Sequence, residues 1–302
     1  MKLSEAIINL DGILIRDGEF SALNYCTVEM ASPFLTFLEN PKYIEALRNN
    51  KSVGCVISKK EIIDELPDND WGIFCSEEPK KVFHAIHNSL VNNSDYKLKT
   101  YENKIGRNCK ISPLAYIAPE NVVIGNNVFI GEFVVINEHT SIGNDCVIHA
   151  GTVIGGKSFS FTRVEDNEVL GLVDMGQVVL EDNVEICSNC HIARGTLPSD
   201  TTLLGTHTKL DAMVHVGHGT KIGNRVFIAA GAQLSGNTVI GNDVWIGVNA
   251  TISNRLVIGD SSRISLGAVV TKNILEGETV TGNFAIDHER FIQNMKRSIM
   301  DD

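Results

Sequence analysis

A large aliphatic residue recurs every six positions through most of this chain. Counting in sixes from Leu180 passes Ile186, Ile192, Pro198, Leu204, Leu210 and Val216 and continues to Ile264 and Val270. Fifteen of these sixteen positions are Leu, Ile or Val. An amphipathic helix repeats at about 3.6 residues and a half-buried strand at 2, so neither produces this spacing. An earlier block, Ile124 to Ile154, keeps the same interval, and Ile105, Ile111 and Ile117 extend it upstream after a slip of one position. The residue after each aliphatic position is small: of the fifteen from 181 to 265, thirteen are Gly, Ala, Ser or Cys, and only Glu181 and Asp211 are not.

A bulky inward residue followed by a small one suits a tightly turning coil. Three hexads close a triangular coil, and successive coils pair as parallel strands about 4.8 Å apart. The expected fold is therefore mainly β, a hexapeptide-repeat parallel β-helix over residues 101–282. The interval from Ile154 to Leu180 is not a multiple of six but two positions out of phase. A loop must leave the coil there, at about 155–176, where it can cover a site. Residues 1–100 lack the period. They alternate short apolar runs such as Gly54-Cys55-Val56-Ile57 with helix-like stretches such as Val82 to His87, which reads as a small α/β domain. The end of the chain, 283–302, reads as a helix with Phe291, Ile292 and Met295 on one face.

The chain has 302 residues, 43% apolar and 21% charged, which is enough to bury a core. A net charge of −11 argues against nonspecific nucleic-acid binding and leaves room for a local basic pocket that takes phosphate. No apolar run approaches the roughly 18 residues of a membrane span. The opening Met1-Lys2-Leu3-Ser4-Glu5-Ala6 does not read as a signal peptide. Seven scattered cysteines, an odd number, fit a reducing compartment, so a cytoplasmic protein is expected.

Four stretches, in order along the chain, resemble the UDP-3-O-acylglucosamine N-acyltransferase family of lipid A synthesis. Phe37-Leu38-Glu39-Asn40-Pro41-Lys42-Tyr43 resembles its uridine-binding F-L-x-N-P-K-Y. Val153 to Phe161 resembles its V-I-G-x-x-G-F-G-F loop, and Ile192 to Leu197 its I-D-R-G-A-L. Leu210 to His218 resembles I-D-x-x-x-Q-I-A-H, whose last residue is the family's catalytic base. There are departures from the pattern. Gly217-His218-Gly219 stands for A-H-N, and His215 replaces a Gln that reads the acyl 3-hydroxyl. Ser253-Asn254-Arg255 replaces a segment that carries a second family histidine. The resemblance implies a left-handed β-helix and a homotrimer with sites between subunits. It implies a nucleotide-linked amino sugar as acceptor and no permanently bound cofactor. Acyl carrier protein is the implied donor. The departures leave open a relative that uses acetyl- or short-acyl-CoA on another UDP- or dTDP-linked amino sugar of surface polysaccharide. A noncatalytic trimeric scaffold that binds a nucleotide sugar is the reading from another class.

N-acylation needs a base for the amine, a donor for the thioester oxyanion and a means of holding two substrates together. His218 lies two positions past the inward Val216, at a coil corner. One full coil further stands Gly236, with no side chain to block a thioester, and Asn254 stacks above it. His218 is the expected base and Gly236 the expected oxyanion donor. Asp211, charged where its equivalents are small, either supports the imidazole or caps its turn. Phe37, Asn40 and Tyr43 are the expected pyrimidine site, or else core and a helix start. Phe159 and Phe161 contact sugar or acyl chain, or pack the loop down. His215 is a corner residue or else lines the acyl or thiol channel, and Asn254 and Arg255 lie toward the substrate. His149, His191 and His207 read as corner residues. No metal site is expected from these histidines, because no acidic cluster supports them. Cys187 and Cys190 straddle inward positions of the repeat and read as packing.

Overall fold

The computed structural model describes residues 1–67, 69–163, 168–282 and 287–300, with the side chains of Phe291, Met295 and 298–300 excepted. The hexad period becomes a three-sided prism. Its faces are parallel sheets of eight, nine and eight short strands. Along the regular part, each inward residue pairs with its equivalent three hexads on: Leu204 with Ile222, Ile222 with Ile240, and Ile240 with Ile258. The inward column is sealed, with Ile130, Ile136, Ile148, Ile186, Ile246 and Ile252 all at 0% exposure. Burial of this kind stabilises by about 1.5–3 kcal/mol per side chain. The corners need left-handed backbone, and they fall at the same interval of six: Asn237, Asp243, Asn249, Arg255 and Ser261 have φ of +53° to +60°. Asn and Asp tolerate that conformation best. Residues just before such corners cap the preceding coil: Asn242 Oδ1 accepts from Asn224 N–H and Asp260 Oδ1 from Asn242 N–H, both at 2.9 Å.

The register explains each irregularity of the repeat. Ile105 pairs with Ile124, Ile111 with Ile130 and Ile117 with Ile136, each partner one position beyond that of a regular coil. The slip therefore lies between Ile117 and Ile124. Ile142 pairs with Leu180, whereas a regular coil would put its partner at position 160. The excursion thus inserts more chain than a whole coil contains. It carries a two-stranded antiparallel hairpin, Phe161–Arg163 with Val169–Gly171. A second insertion escapes the hexad count. Leu180 pairs with Leu204 and not with Pro198, so one extra hexad leaves the coil between Ala193 and Thr201. A whole hexad preserves the phase. Pro198 is not a weak inward position but part of this loop, which Asp200 closes by accepting from Thr196 Oγ1 at 2.9 Å and Leu197 N–H at 3.2 Å.

The N-terminal residues build a five-stranded sheet in the order Ile13–Arg16, Gly72–Cys75, Val53–Ser58, Phe34–Leu38, Ala22–Leu23. Its first pair is antiparallel and the rest are parallel. The helix Pro79–Ser89 buries Val82, Phe83 and Ile86 in a core shared with Leu35, Ile57 and Phe74. That core also takes Met175 and Leu197, one from each loop of the prism. The helix pins the excursion directly. His87 Nε2 lies 2.7 Å from Val173 O, Asn88 Nδ2 donates to Gly171 O at 2.8 Å, and Asn88 Oδ1 accepts from Val173 N–H at 3.1 Å. The C-terminal helix runs His288–Met300. Of its expected apolar face, the side chains of Phe291 and Met295 lie outside the described residues.

Candidate active site

His218 stands at the corner after the strand His215–Val216, with Gly236 one coil above it. A Cβ built on Gly236 would lie 2.6 Å from His218 Nε2, so the ring fills the space the glycine leaves. Nothing among the described residues accepts a hydrogen bond from the Gly236 N–H, whereas the neighbouring Ser235 and Asn237 N–H groups donate to Ile252 O and His218 O. An imidazole nitrogen and an unused amide therefore share one pocket. His218 Nδ1 is buried without a partner among the described residues. Burial pushes the imidazole below its ordinary pKa. The carboxylates of Asp200 and Asp174 oppose that shift and Arg255 adds to it. The ring is thus neutral near pH 7, the state a base must have to accept a proton.

The cavity holding His218 and Gly236, about 180 Å³, is also lined by Phe37, Phe159, Phe161, Asn254 and Arg255. Seven residues singled out in the sequence thus meet in one place. Phe159 is 92% exposed and packs edge-on against Phe161 at 5.2 Å, so the loop aromatics face open space rather than the coil. A second cavity of about 230 Å³ adjoins the first and shares Tyr25, Phe37, Lys80 and Arg255 with it. Its other walls include Asn40 and Tyr43. Half-buried, Phe37 packs at 5.0 Å on Phe83 of the core and presents its remaining surface to the cavity. Asn40 Oδ1 accepts from Lys42 N–H at 3.0 Å and starts the turn Pro41–Tyr43, which carries Tyr43 to the cavity wall.

Two residues fall elsewhere. Asp211 is exposed and accepts from Ala212 N–H at 2.7 Å. It lines a groove with Glu185, Lys209, Phe227 and Trp245 on a different face of the prism from His218. Within one chain, Asp211 caps its turn and the expected support of the imidazole is absent; the carboxylates that reach His218 electrostatically are Asp200 and Asp174. His215 lies on the strand face below the corner. Its ring stacks on His191 at 5.3 Å with planes 15° apart, and burial, then His191 and His218, lower its pKa. His191 in turn lies against Gly156, where the excursion leaves the coil: a Cβ there would come within 2.2 Å of Nε2. The corner expected for His191 is instead a strand position.

Sequence reasoning missed Tyr25, Lys80 and His84, which line the cavities. Burial, with Lys80 and His87 adding, drives His84 down to about 4. No local signal marks Tyr25. Lys80 opens a helix with Pro79 before it, a pattern that predicts the helix but not what its first turn faces. Cys187 and Cys190 are free thiols, the latter packed in the prism core. Among the described residues no group of three or more His, Cys, Asp or Glu is placed to hold a metal ion, and no helix is long and apolar enough to cross a membrane.

The family of the bacterial transferase hexapeptide (six repeats) matches residues 121–156. The UDP-3-O-acylglucosamine N-acyltransferase of Coxiella burnetii is 28% identical over 260 residues, 78% of this chain and 74% of that protein. The enzyme of the same description from Rhizobium meliloti is 36% identical over 95 residues, 32% of this chain and 26% of its own. Among solved structures, a UDP-N-acetylglucosamine acyltransferase from Bacteroides fragilis matches with a TM-score of 0.51 at 29% identity, covering 59% of this chain and 66% of that one. The corresponding enzyme from Campylobacter jejuni matches at 0.53 and 21% identity over 65% and 79% of the two chains, a likeness of fold. In repeat, coil register and relatives, the chain is a hexapeptide-repeat β-helix protein related to the UDP-3-O-acylglucosamine N-acyltransferases.

Proposed function

We propose that the protein is a lipid A-type N-acyltransferase, moving an acyl group from a pantetheine thioester to the amine of a UDP-linked amino sugar in the cytoplasm. One observation carries this reading. His218 and the unused Gly236 amide share a cavity that runs on into the aromatic pocket of Phe37, Asn40 and Tyr43. The named relatives support it, since both the Coxiella and the Rhizobium proteins are UDP-3-O-acylglucosamine N-acyltransferases by name.

In this mechanism the pyrimidine rests against Phe37, with Asn40 and Tyr43 offering polar groups to it, and the sugar amine lies beside His218. Neutral His218 Nε2 takes the proton as the amine nitrogen attacks the thioester carbonyl. A C–N bond forms, and the carbonyl oxygen becomes an oxyanion facing the Gly236 N–H. Collapse breaks the C–S bond, and the departing thiolate takes the proton back from His218. Phe159, Phe161 and Asn254 wall the reacting centre. His215, stacked on His191, borders the donor's approach. The donor is an acyl carrier protein or a CoA thioester, with no resident cofactor.

The prism exposes Phe129, Phe227 and Trp245 in register along one face, beside the groove of Asp211. We read this face as the contact of a homotrimer, and any electrostatic role of Asp211 then acts on a neighbouring subunit. Light scattering should give three times 33.0 kDa. The activity test pairs UDP- and dTDP-amino sugars with acyl-carrier-protein and short-acyl-CoA donors and follows thiol release. His218→Ala should lower kcat by roughly 10²-fold or more. Unchanged turnover would remove His218 as base, and binding of nucleotide sugar with no turnover on any donor would favour a scaffold.

A further inference from the structure

The chain carries 37 Asp and Glu against 26 Lys and Arg. Yet the cavity around His218 is lined by Lys80, His84, His218 and Arg255 and, among the described residues, by no carboxylate. Neither Lys80 nor Arg255 takes part in an ion pair among the described residues. Two other arginines of the prism region are paired, while Arg107, Arg163 and Arg263 form no ion pair among the described residues. Arg225, at an equivalent left-handed corner, forms a two-pronged bridge to Asp243 with both distances 2.7 Å, and Arg194 lies 3.3 Å from Glu138. Arg255, with φ +60°, instead aims its guanidinium at the cleft, 5.2 Å from the Tyr25 ring. Its Nη1 lies 3.5 Å from Tyr43 Oη. Lys80 and Arg255 are also the two cations that line both cavities, the aromatic one and that of His218.

We propose that Lys80 and Arg255 clamp the diphosphate of the nucleotide-linked substrate at the junction between the pyrimidine cavity and His218. This rests on the cleft being a nucleotide-sugar site, as proposed above, and adds which chain groups read the diphosphate. A base held by Phe37 and a sugar held by His218 must be joined across that junction, and the group that joins them in a nucleoside diphosphate sugar carries two negative charges. A guanidinium grips two phosphate oxygens through its planar fork, while an ammonium acts as a point charge. Tyr25 supports the guanidinium through its ring face without using its N–H groups, of which Nη1 reaches Tyr43 Oη at 3.5 Å. The clamp also sets the distance from base to reacting amine, so it selects nucleoside diphosphate sugars over monophosphate ones.

The test is calorimetric binding of UDP and UMP, with uridine followed by NMR titration, to wild type, Lys80→Gln, Arg255→Gln and Phe37→Ala. The expected order for wild type is UDP, then UMP, then uridine. Each charge-removing variant should weaken UDP by about tenfold and leave uridine within twofold. Unchanged uridine binding shows that the pyrimidine cavity is intact in those variants. If Phe37→Ala weakens all three ligands while UDP binds both cation variants as wild type, the clamp is overturned and the nucleotide site stands. If UDP affinity ignores Phe37 as well, or UDP does not bind, both readings fall. A rise in donor KM at unchanged UDP affinity would assign the cations to the thioester donor and equally overturn the proposal.

Discussion

Gly236→Ala separates a catalytic constellation from ordinary coil packing. The backbone at Gly236 is not in the left-handed region, so alanine is conformationally acceptable there. Its Cβ, however, would sit 2.6 Å from His218 Nε2, 2.8 Å from Cδ2 and 2.9 Å from Cε1. Ordinary contact begins at 3.4 Å, so the ring must retreat by about 0.8 Å (3.4 minus 2.6). A misplacement of about 1 Å at a reacting group costs on the order of 10²-fold in rate, or about 2.7 kcal/mol of barrier. The displaced atoms belong to one side chain in a cavity, so stability should change little. Gly217→Ala is the contrast. Its Cβ would meet the Gly236 nitrogen at 2.5 Å and Ser235 carbon at 2.7 Å, backbone atoms of the next coil that cannot rotate away. That change should cost about 1–3 kcal/mol of stability. The assay is thiol release from the acyl donor at saturating acceptor, with thermal unfolding of both variants in parallel. Gly236→Ala turning over within threefold of wild type would refute the placement of the reaction between His218 and Gly236.

Further outcomes follow from the same geometry. The His218-dependent limb of kcat/KM should fall on the acid side with a midpoint below 6.5, because burial lowers that imidazole and only its neutral form accepts a proton; a midpoint above 7 would contradict this. Stability should also decline as pH drops from about 6.5 toward about 4. His84 is held near 4 when folded and near 6.5 when unfolded, so the unfolded chain binds its proton first; urea midpoints across that window check the sign. Ile246→Ala, in the sealed column, should cost about 2–5 kcal/mol by urea unfolding. Asn88→Ala removes the acceptor for the Val173 N–H and should speed exchange of that amide at least tenfold, with the prism amides unchanged.

The period of six fixes the prism because each coil needs one large inward residue and one small corner residue per face, and that demand recurs locally. The slip after Ile117 and the excursion after Ile154 were visible as phase errors. The extra hexad between Ala193 and Thr201 was not, because an insertion of that length leaves the phase unchanged, and Pro198 then reads as a poor core residue. The His218–Gly236 stack was legible for the same reason as the core: a coil of constant length turns sequence distance into vertical contact.

What lies across the corner from that stack had no such rule. Lys80, Tyr25 and His84 come from a domain without the repeat, and only the docking of Pro79–Ser89 against the excursion brings them to His218. Asp211 is the converse. It lies close to His218 in sequence yet on another face, since one hexad along the chain turns the prism by a third. Sequence alone determined the repeating coil and the residues stacked within it, because those contacts depend only on spacing. Tertiary structure alone decided which charges surround the imidazole, because electrostatics and cavities depend on packing between segments whose separation no period governs.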